Sequence, residues 1–279
     1  MNMYTELLLI ACLTAVTCSL PGIFLLLQGT ALISDAISHA ILLGMVIAFL
    51  LVQSIDSGWL FFGALCAGIA SVVLSQFLHE EHSIKKDAAI GLIFPLFFSI
   101  AILLINFYAY SIHLDTDAVL LGDLIFTPFQ RVYIAGIDYG PQLLWWMLGL
   151  LTINSLWIFL FYKEILLYSF DPEFASTLRY APKVFHYMFM ILTTATIIKA
   201  FDTAGAIVVI GFIIIPPACA FLLSKHISYM IIHTIGISCI STLLGYILAH
   251  HTQASIPGAI AIMQGILFFC ILLWKQYRK

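Results

Sequence analysis

Long apolar runs recur along the whole chain, separated by short stretches that carry charged residues, proline and glycine. A helix needs about 20 apolar residues to cross a bilayer, and only helices or closed barrels satisfy their backbone there. The pattern predicts an all-α integral membrane protein: a polytopic bundle of about eight or nine transmembrane helices, forming a single domain over residues 1–279. We place the spans at residues 5–28, 32–53, 59–79, 88–110, 141–162, 182–200, 204–223, 227–249 and 256–274.

The composition supports this class. Hydrophobic residues make up 63% of the chain and charged residues 9%, whereas about a quarter of the residues in a soluble domain are charged. The formal net charge is −3 and no basic cluster is present, so nothing in the sequence suggests a nucleic-acid partner. The six cysteines all lie inside apolar runs, which favours buried thiols over disulfides.

The distribution of lysine and arginine predicts the orientation of the chain. No basic residue precedes Lys85, so the first apolar run lacks the charged start of a cleavable signal peptide, and we interpret it as a retained span. When the segments between spans are assigned alternately to the two sides of the membrane, all basic residues except Arg131 and Lys199 lie on the same side. The positive-inside rule makes the larger group cytoplasmic, which predicts an external N-terminus and a cytoplasmic C-terminus.

Two segments between spans have a character of their own. Residues 111–140 form a mixed stretch that we interpret as an interfacial or re-entrant element, in which Asp123 is suited to cap a short helix. Residues 168–176 are typical of a short helix in the cytosol, because Asp171 can cap it and Pro172 fits its first turn.

A pair of prolines marks the seventh span. Pro216 and Pro217 remove two backbone donors from the apolar run over residues 204–223. The pair therefore predicts a kink or a break in this helix. A break at membrane depth is tolerated where it is buried in protein or lines a cavity.

Asp35 and His39 are the candidate metal ligands of the chain. They are four residues apart at the start of the second span, so on a helix they share one face. An ionisable group among lipid tails costs about 2.5 to 3.5 kcal/mol on insertion scales, so such a pair is expected to face a bundle interior or a wet cavity. A carboxylate oxygen and a neutral imidazole nitrogen suit divalent manganese, zinc or iron. A structural hydrogen bond that holds two helices together is the other interpretation that these two residues leave open.

Short motifs follow one another in an order that resembles a known family. The most specific is Ser-Asp-Ala-Ile-Ser-His-Ala at residues 34–40. Further matching segments cover nearly the whole chain, at residues 22–27, 87–91, 121–125, 170–175, 205–209, 215–220 and 256–259. Together they resemble the permease subunits of the ABC-3 family, which are bacterial importers of manganese, zinc and iron.

The resemblance implies a set of partners and a location. It implies a homodimeric permease domain over residues 1–279 in the bacterial cytoplasmic membrane, bound to two cytosolic ATPase subunits. An extracytoplasmic metal-binding protein would supply the cargo, a divalent manganese, zinc or iron ion, and no cofactor would be permanently bound. The chain itself would not be an enzyme, because ATP hydrolysis would belong to the ATPase subunit.

The resemblance also implies roles for individual residues. Asp35 and His39 match the family's metal site within the membrane. The family's coupling helix, which fits a groove on the ATPase, matches residues 170–179. Its candidate contact residues are Phe170, Asp171, Pro172, Glu173, Phe174 and Ala175. Candidate residues of the translocation pathway are Asp123, Pro216 and Pro217.

Two other function classes are weighed against this one. A gradient-driven secondary metal transporter or channel is the alternative, but such proteins often carry several buried acids and inverted repeats, and this sequence has one clear intramembrane acid and no evident repeat. An intramembrane enzyme is disfavoured because the sequence has neither His-Glu-x-x-His nor Gly-x-Ser-x-Gly. The sequence also lacks a P-loop, which fits an ATP site on a separate subunit.

Overall fold

The structure is a computed structural model that describes residues 3–53, 57–82, 84–108, 131–134, 137–171, 174–175 and 182–278. Helices and two short strands follow one another along these ranges. They are α1 Met3–Leu27, α2 Ile33–Val52, α3 Ser57–His82, α4 Lys86–Tyr108, β1 Arg131–Ile134, β2 Ile137–Pro141, α5 Gln142–Leu160, α6 Tyr162–Phe170, α7 Pro182–Ala204, α8 Ala206–Leu223, α9 Ile227–Thr252 and α10 Ile256–Tyr277.

The predicted fold class is confirmed. Within the described ranges, nine helices are long and apolar enough to cross a membrane, and these are all the helices except α6. Each one coincides with a predicted span, with bounds that differ by a few residues. The sequence had joined the start of α6 to the fifth span, whereas the structure separates α6 from α5 at Phe161.

Large apolar side chains cover the outer surface of the spans. Leu51, Phe107 and Phe159 are each exposed over more than three quarters of their surface in the isolated chain. Exposed apolar area of this extent is unusual for a soluble monomer. Lipid is the environment that these side chains fit, because the helices already satisfy their own backbone hydrogen bonds.

The described helices group into two compact units. The first contains α1, the two strands, α5, α6 and α8 to α10, and the second contains α2, α3, α4 and α7 as far as Ile198. In the first unit α1 packs against α5, α8 and α9, and its side chains Ile10, Ile23 and Phe24 are fully buried. The single permease domain inferred from the sequence stays a prediction.

In the second unit α2 is held close to α3 by two glycines. A Cβ added to Gly44 would overlap the backbone of Gly63 and come within 2.8 Å of the Ala64 Cα. A Cβ added to Gly63 would in turn overlap the Gly44 carbonyl group. Small residues allow such close approach between membrane helices. The contact fixes the position of α2 against α3. Asp35 and His39 lie on the same helix, nearer to its N-terminal end than Gly44.

Replacing Gly44 by alanine should therefore destabilise the protein. The added methyl group meets backbone that cannot rotate away, and overpacking of this kind costs about 1 to 3 kcal/mol. The midpoint of thermal unfolding of the purified protein should fall by about 5 °C. Gly91→Ala is the matched control, because a Cβ at Gly91 meets nothing within 4 Å. Alanine is the better helix former by about 0.5 to 1 kcal/mol, so the midpoint of this variant should not fall. An equal fall in both variants would contradict the packing argument.

The two prolines do not break the helix, so that form of the prediction is wrong, and the kink that the sequence allowed as the other form stays a prediction. Helix α8 continues from Ala206 to Leu223 through Pro216 and Pro217, and both prolines are buried. The prolines deprive the carbonyls of Phe212 and Ile213 of their usual helical donors. Packing against α1, α9 and α10 surrounds the helix at this point, and we attribute its continuity to that packing.

A glycine of α1 accommodates the proline turn of α8. A Cβ added to Gly22 would overlap the Ile213 carbonyl oxygen, so the backbone of α1 lies directly against that carbonyl group. Pro217 is the residue whose missing N–H leaves this oxygen without a helical partner. A Cα–H contact can offer it weak compensation. The proposed pathway role of Pro216 and Pro217 stays a prediction.

A β-hairpin, which the sequence did not predict, precedes α5. Strands β1 and β2 pair in antiparallel fashion, with Tyr133 opposite Asp138. Arg131 donates hydrogen bonds to the carboxylates of Asp138 and of Glu6 in the first turn of α1, the latter at 2.6 Å. The Gly140 N–H and Arg131 lower the pKa of Asp138, and the Asp138 carboxylate raises the pKa of Arg131. The hairpin is thereby tied to the beginning of α1.

Candidate functional site

Asp35 and His39 lie on one face of α2, one turn apart. Because α2 begins at Ile33, the pair occupies its first two turns, as the sequence predicted. The His39 Nε2 atom is 3.5 Å from the Asp35 Oδ1 atom. This distance is longer than that of an ordinary N–H···O hydrogen bond, about 2.7 to 3.2 Å. The Asp35 side chain is 38% exposed and the His39 side chain 26% exposed, so the polar atoms are open to a further partner.

Two aromatic rings of α4 orient the imidazole of His39. The centroid of the Phe94 ring is 5.0 Å from that of His39, in a tilted arrangement. The Phe98 ring meets His39 edge-on at 5.2 Å. Phe98 also packs against the buried core formed by Leu42, Leu43 and Ala101. The imidazole therefore packs against two aromatic rings of the neighbouring helix, which favours a fixed direction for its ring nitrogens.

The pair can act as half of a divalent metal site. One carboxylate oxygen and one imidazole nitrogen are a donor set that suits manganese, ferrous iron and zinc. Among the residues that the structure describes, no group of three histidine, cysteine, aspartate or glutamate side chains is placed to hold a metal ion. Among the described residues, the pair therefore offers two of the donors that such a site needs.

The predicted cap at Asp171 is present, while the role of this segment as a coupling helix stays a prediction. The Asp171 Oδ1 atom accepts a hydrogen bond of 2.9 Å from the Phe174 N–H, and the Asp171 carbonyl accepts one of 3.0 Å from the Ala175 N–H. Phe170 ends α6, and both Phe170 and Phe174 are more than half exposed, whereas Ala175 is buried. The turn therefore presents two aromatic side chains outward.

Several predicted site residues lie outside the residues that the structure describes. These are Asp123, Pro172 and Glu173, together with residues 176–179 of the predicted coupling helix. Their proposed roles stay predictions.

Two contacts near the candidate site residues had no clear signal in the sequence. Phe94 and Phe98 are spaced one turn apart in an apolar helix, a pattern that is indistinguishable from ordinary packing. The contact between Gln28 and Ser169, at 3.3 Å, joins residues 141 positions apart in the chain. A local pattern cannot show such a pair.

Comparison with known proteins assigns the chain to a family. Residues 1–275 match the family described as the ABC 3 transport family. This chain belongs to the ABC 3 transport family. The family inferred from the motif at residues 34–40 is confirmed, and the protein is a multi-pass membrane permease.

The similarity to individual members of the ABC 3 transport family extends over most of the chain. The chain is 37% identical to the manganese transport system membrane protein MntD of Bacillus subtilis (strain 168), over 94% of this chain and 89% of the relative. It is 38% identical to the zinc transport system membrane protein TroD of Treponema pallidum (strain Nichols), over 98% of this chain and 74% of the relative.

A solved structure shares the fold of this ABC 3 family member. The structure is PsaBC from Streptococcus pneumoniae in complex with Fab, with a TM-score of 0.77 and 24% sequence identity. The match covers 97% of this chain and 91% of the solved chain. It supports the transmembrane helical fold found here.

Proposed function

We propose that this permease moves a divalent transition metal ion, Mn, Zn or Fe, into the cell as the membrane subunit of an ATP-binding-cassette importer. Asp35 and His39 are the observation that carries the proposal. They place a carboxylate and an imidazole on one face of an apolar helix, each about one-quarter to two-fifths exposed and 3.5 Å apart. An ionisable pair at such a position is expensive unless it serves a polar pathway. The manganese and zinc transport named for two relatives agrees with this donor set.

The ligand count favours a homodimeric pathway. The metal ions in question take about four to six ligands, and Asp35 with His39 would supply two of them from each chain. A second copy of the chain, related by a two-fold axis, would present the same pair from the opposite side. The exposed atoms of both pairs would then meet the ion in the pathway, and they would replace part of its hydration shell.

The proposal includes two further partners. A cytosolic ATPase subunit would receive Phe170 and Phe174 in a groove, and ATP binding and hydrolysis would move this segment. An extracytoplasmic metal-binding protein would deliver the ion at the other face. The charge distribution supports an external N-terminus and a cytoplasmic C-terminus, and the bacterial cytoplasmic membrane is the proposed location.

Reconstitution tests the proposed function. The permease, its ATPase and its metal-binding protein are placed in liposomes, and the accumulation of Mn, Zn and Fe(II) is measured by mass spectrometry with and without ATP. We expect accumulation that requires ATP, and about one bound metal ion for every two permease chains if the ligands are shared. Magnesium, which prefers oxygen ligands and keeps several waters, is the control ion. Uptake driven by an ion gradient in the absence of ATP would contradict the proposal and favour a secondary transporter.

A further inference from the structure

A hydrogen bond joins the end of α1 to the helix that precedes the turn capped by Asp171 and containing Phe174 and Ala175, which we call the coupling turn. Gln28 directly follows α1, and its Nε2 donates to the Ser169 Oγ in α6 at 3.3 Å. The Ser169 hydroxyl in turn donates to the Ile165 carbonyl at 2.7 Å. The amide of Gln28 is therefore attached to a hydroxyl that is itself fixed to the α6 backbone.

Stability does not explain the glutamine at this position. The Oε1 atom of Gln28 is buried and accepts no hydrogen bond. A buried acceptor without a donor is unfavourable, and an apolar side chain of similar length would avoid this penalty. The contact of Gln28 with Ser169 therefore calls for an explanation other than packing.

On one side, the contact leads to the surface proposed for the ATPase. Ser169 is followed by Phe170, which is exposed, and by Asp171, whose carboxylate caps the turn that contains Phe174. The Asp171 N–H also bonds to the Leu167 carbonyl at 2.9 Å, which continues the α6 hydrogen-bond pattern into the turn. A displacement of the exposed phenylalanines would thus be carried to Ser169 through hydrogen-bonded backbone.

On the other side, Gln28 is connected through the chain to α2, the helix that carries Asp35 and His39. Gln28 is followed by Gly29, which has a φ of +66°, and a Cβ at Gly29 would meet nothing within 4 Å. Gly29 is therefore favoured here by its backbone conformation and not by crowding. Gly29 is the last residue of this part of the first unit, and the second unit begins at Thr30. Helix α2 begins at Ile33 and has Asp35 in its first turn.

We propose that the hydrogen bond between Gln28 and Ser169 transmits the movement of the ATPase-facing turn to the start of α2, which makes Gln28 a positioning residue for the transport step. The proposal rests on the proposed function above. A pull on Ser169 would act on Gln28, which is joined to α2 by the left-handed Gly29 and the few residues that follow it. The orientation of Asp35 and His39 towards the pathway would then follow the state of the ATPase.

The test measures metal ions transported per ATP hydrolysed. Gln28→Met keeps the length of the side chain but removes the amide, and Ser169→Ala removes the hydroxyl. In liposomes that contain the complete transporter, we expect ATP hydrolysis and subunit assembly to persist. The transport ratio should fall about fivefold, the factor that a typical net hydrogen bond represents. The double variant should be no worse than either single variant, because both changes remove the same interaction.

Matched controls separate transmission from folding. Gln253→Met changes another glutamine that directly follows a transmembrane helix, where its amide donates to the nearby His250 carbonyl, and it should keep the wild-type ratio. Ser169→Thr keeps the hydroxyl and should also keep the ratio. Gly29→Ala strains the left-handed backbone and should lower the ratio, whereas Gly140→Ala, at a φ of +91° in the hairpin, should not.

The outcomes distinguish this proposal from the proposed function. A loss of hydrolysis and uptake in equal proportion, or an unchanged ratio in both Gln28→Met and Ser169→Ala, would overturn the transmission role. Additive losses in the double variant would overturn it as well. Absence of ATP-dependent metal uptake by the wild-type transporter would instead refute the proposed function on which this inference rests.

Discussion

Replacing Asp35 by asparagine or His39 by glutamine should reduce ATP-dependent metal uptake by about a hundredfold or more. Loss of an outer-shell partner of a metal ligand already lowers metal affinity or activity by about 10- to 100-fold, and each of these changes would remove a direct ligand of the proposed site. Asparagine keeps the shape of Asp35 but lacks the charge that compensates a divalent cation. Glutamine at position 39 removes the imidazole nitrogen. Uptake of Mn, Zn and Fe(II) by the complete transporter in liposomes is the measurement.

Exposed residues of the same types provide the controls for this experiment. Asp87→Asn alters an exposed acid in the first turn of α4, and His226→Gln alters an exposed histidine just before α9. Both variants should keep uptake within about a factor of two, because substitutions at exposed positions usually change stability little. The Asp35 and His39 variants should also purify with the ATPase, which shows that they fold. Near-normal uptake in both of these variants would rule out the site.

The transmembrane helices could be predicted because the bilayer leaves few choices. A chain that crosses lipid must satisfy its backbone hydrogen bonds internally, so length and hydropathy alone locate each helix.

The hairpin before α5 had no such constraint. Its position depends on the bond of Arg131 with Glu6, which lies 125 residues away in the chain. A break at Pro216 and Pro217, one of the two outcomes that the proline rule allowed, does not occur, because that rule describes an isolated helix, whereas α8 is packed on several sides by neighbouring helices.

The sequence predicted part of the candidate site for the same reason. Asp35 and His39 share a face because the helical repeat places residues four apart together, and this needs no knowledge of the neighbours. The rings of Phe94 and Phe98 belong to another helix, so their contact with His39 depends on tertiary packing. The partner for Gln28 depends likewise on how α6 meets the end of α1. Contacts between helices therefore form the part of the site that local patterns did not supply.

The exposed phenylalanines of the coupling turn should hold the ATPase. Phe170 and Phe174 are 65% and 51% exposed and lie on either side of Asp171, which caps the turn. Burying one such side chain in a groove contributes about 1.5 to 3 kcal/mol. Replacing both by aspartate removes this contribution and would bury two charges without partners. The affinity for the ATPase should therefore fall by about a hundredfold or more.

Co-purification of the ATPase with tagged permease measures this loss, and a titration of the ATPase on detergent-solubilised permease quantifies it. Tyr277→Asp is the matched control, since Tyr277 is 95% exposed at the end of α10, on the side predicted to be cytoplasmic. It introduces the same charge at an exposed aromatic position outside the coupling turn and should leave the affinity unchanged. An ATPase that binds the Phe170→Asp and Phe174→Asp double variant as tightly as the wild type would exclude this turn as its docking point. Retained binding would also contradict the first step of the proposed transmission through Ser169 and Gln28, because the ATPase would then contact the permease at another surface.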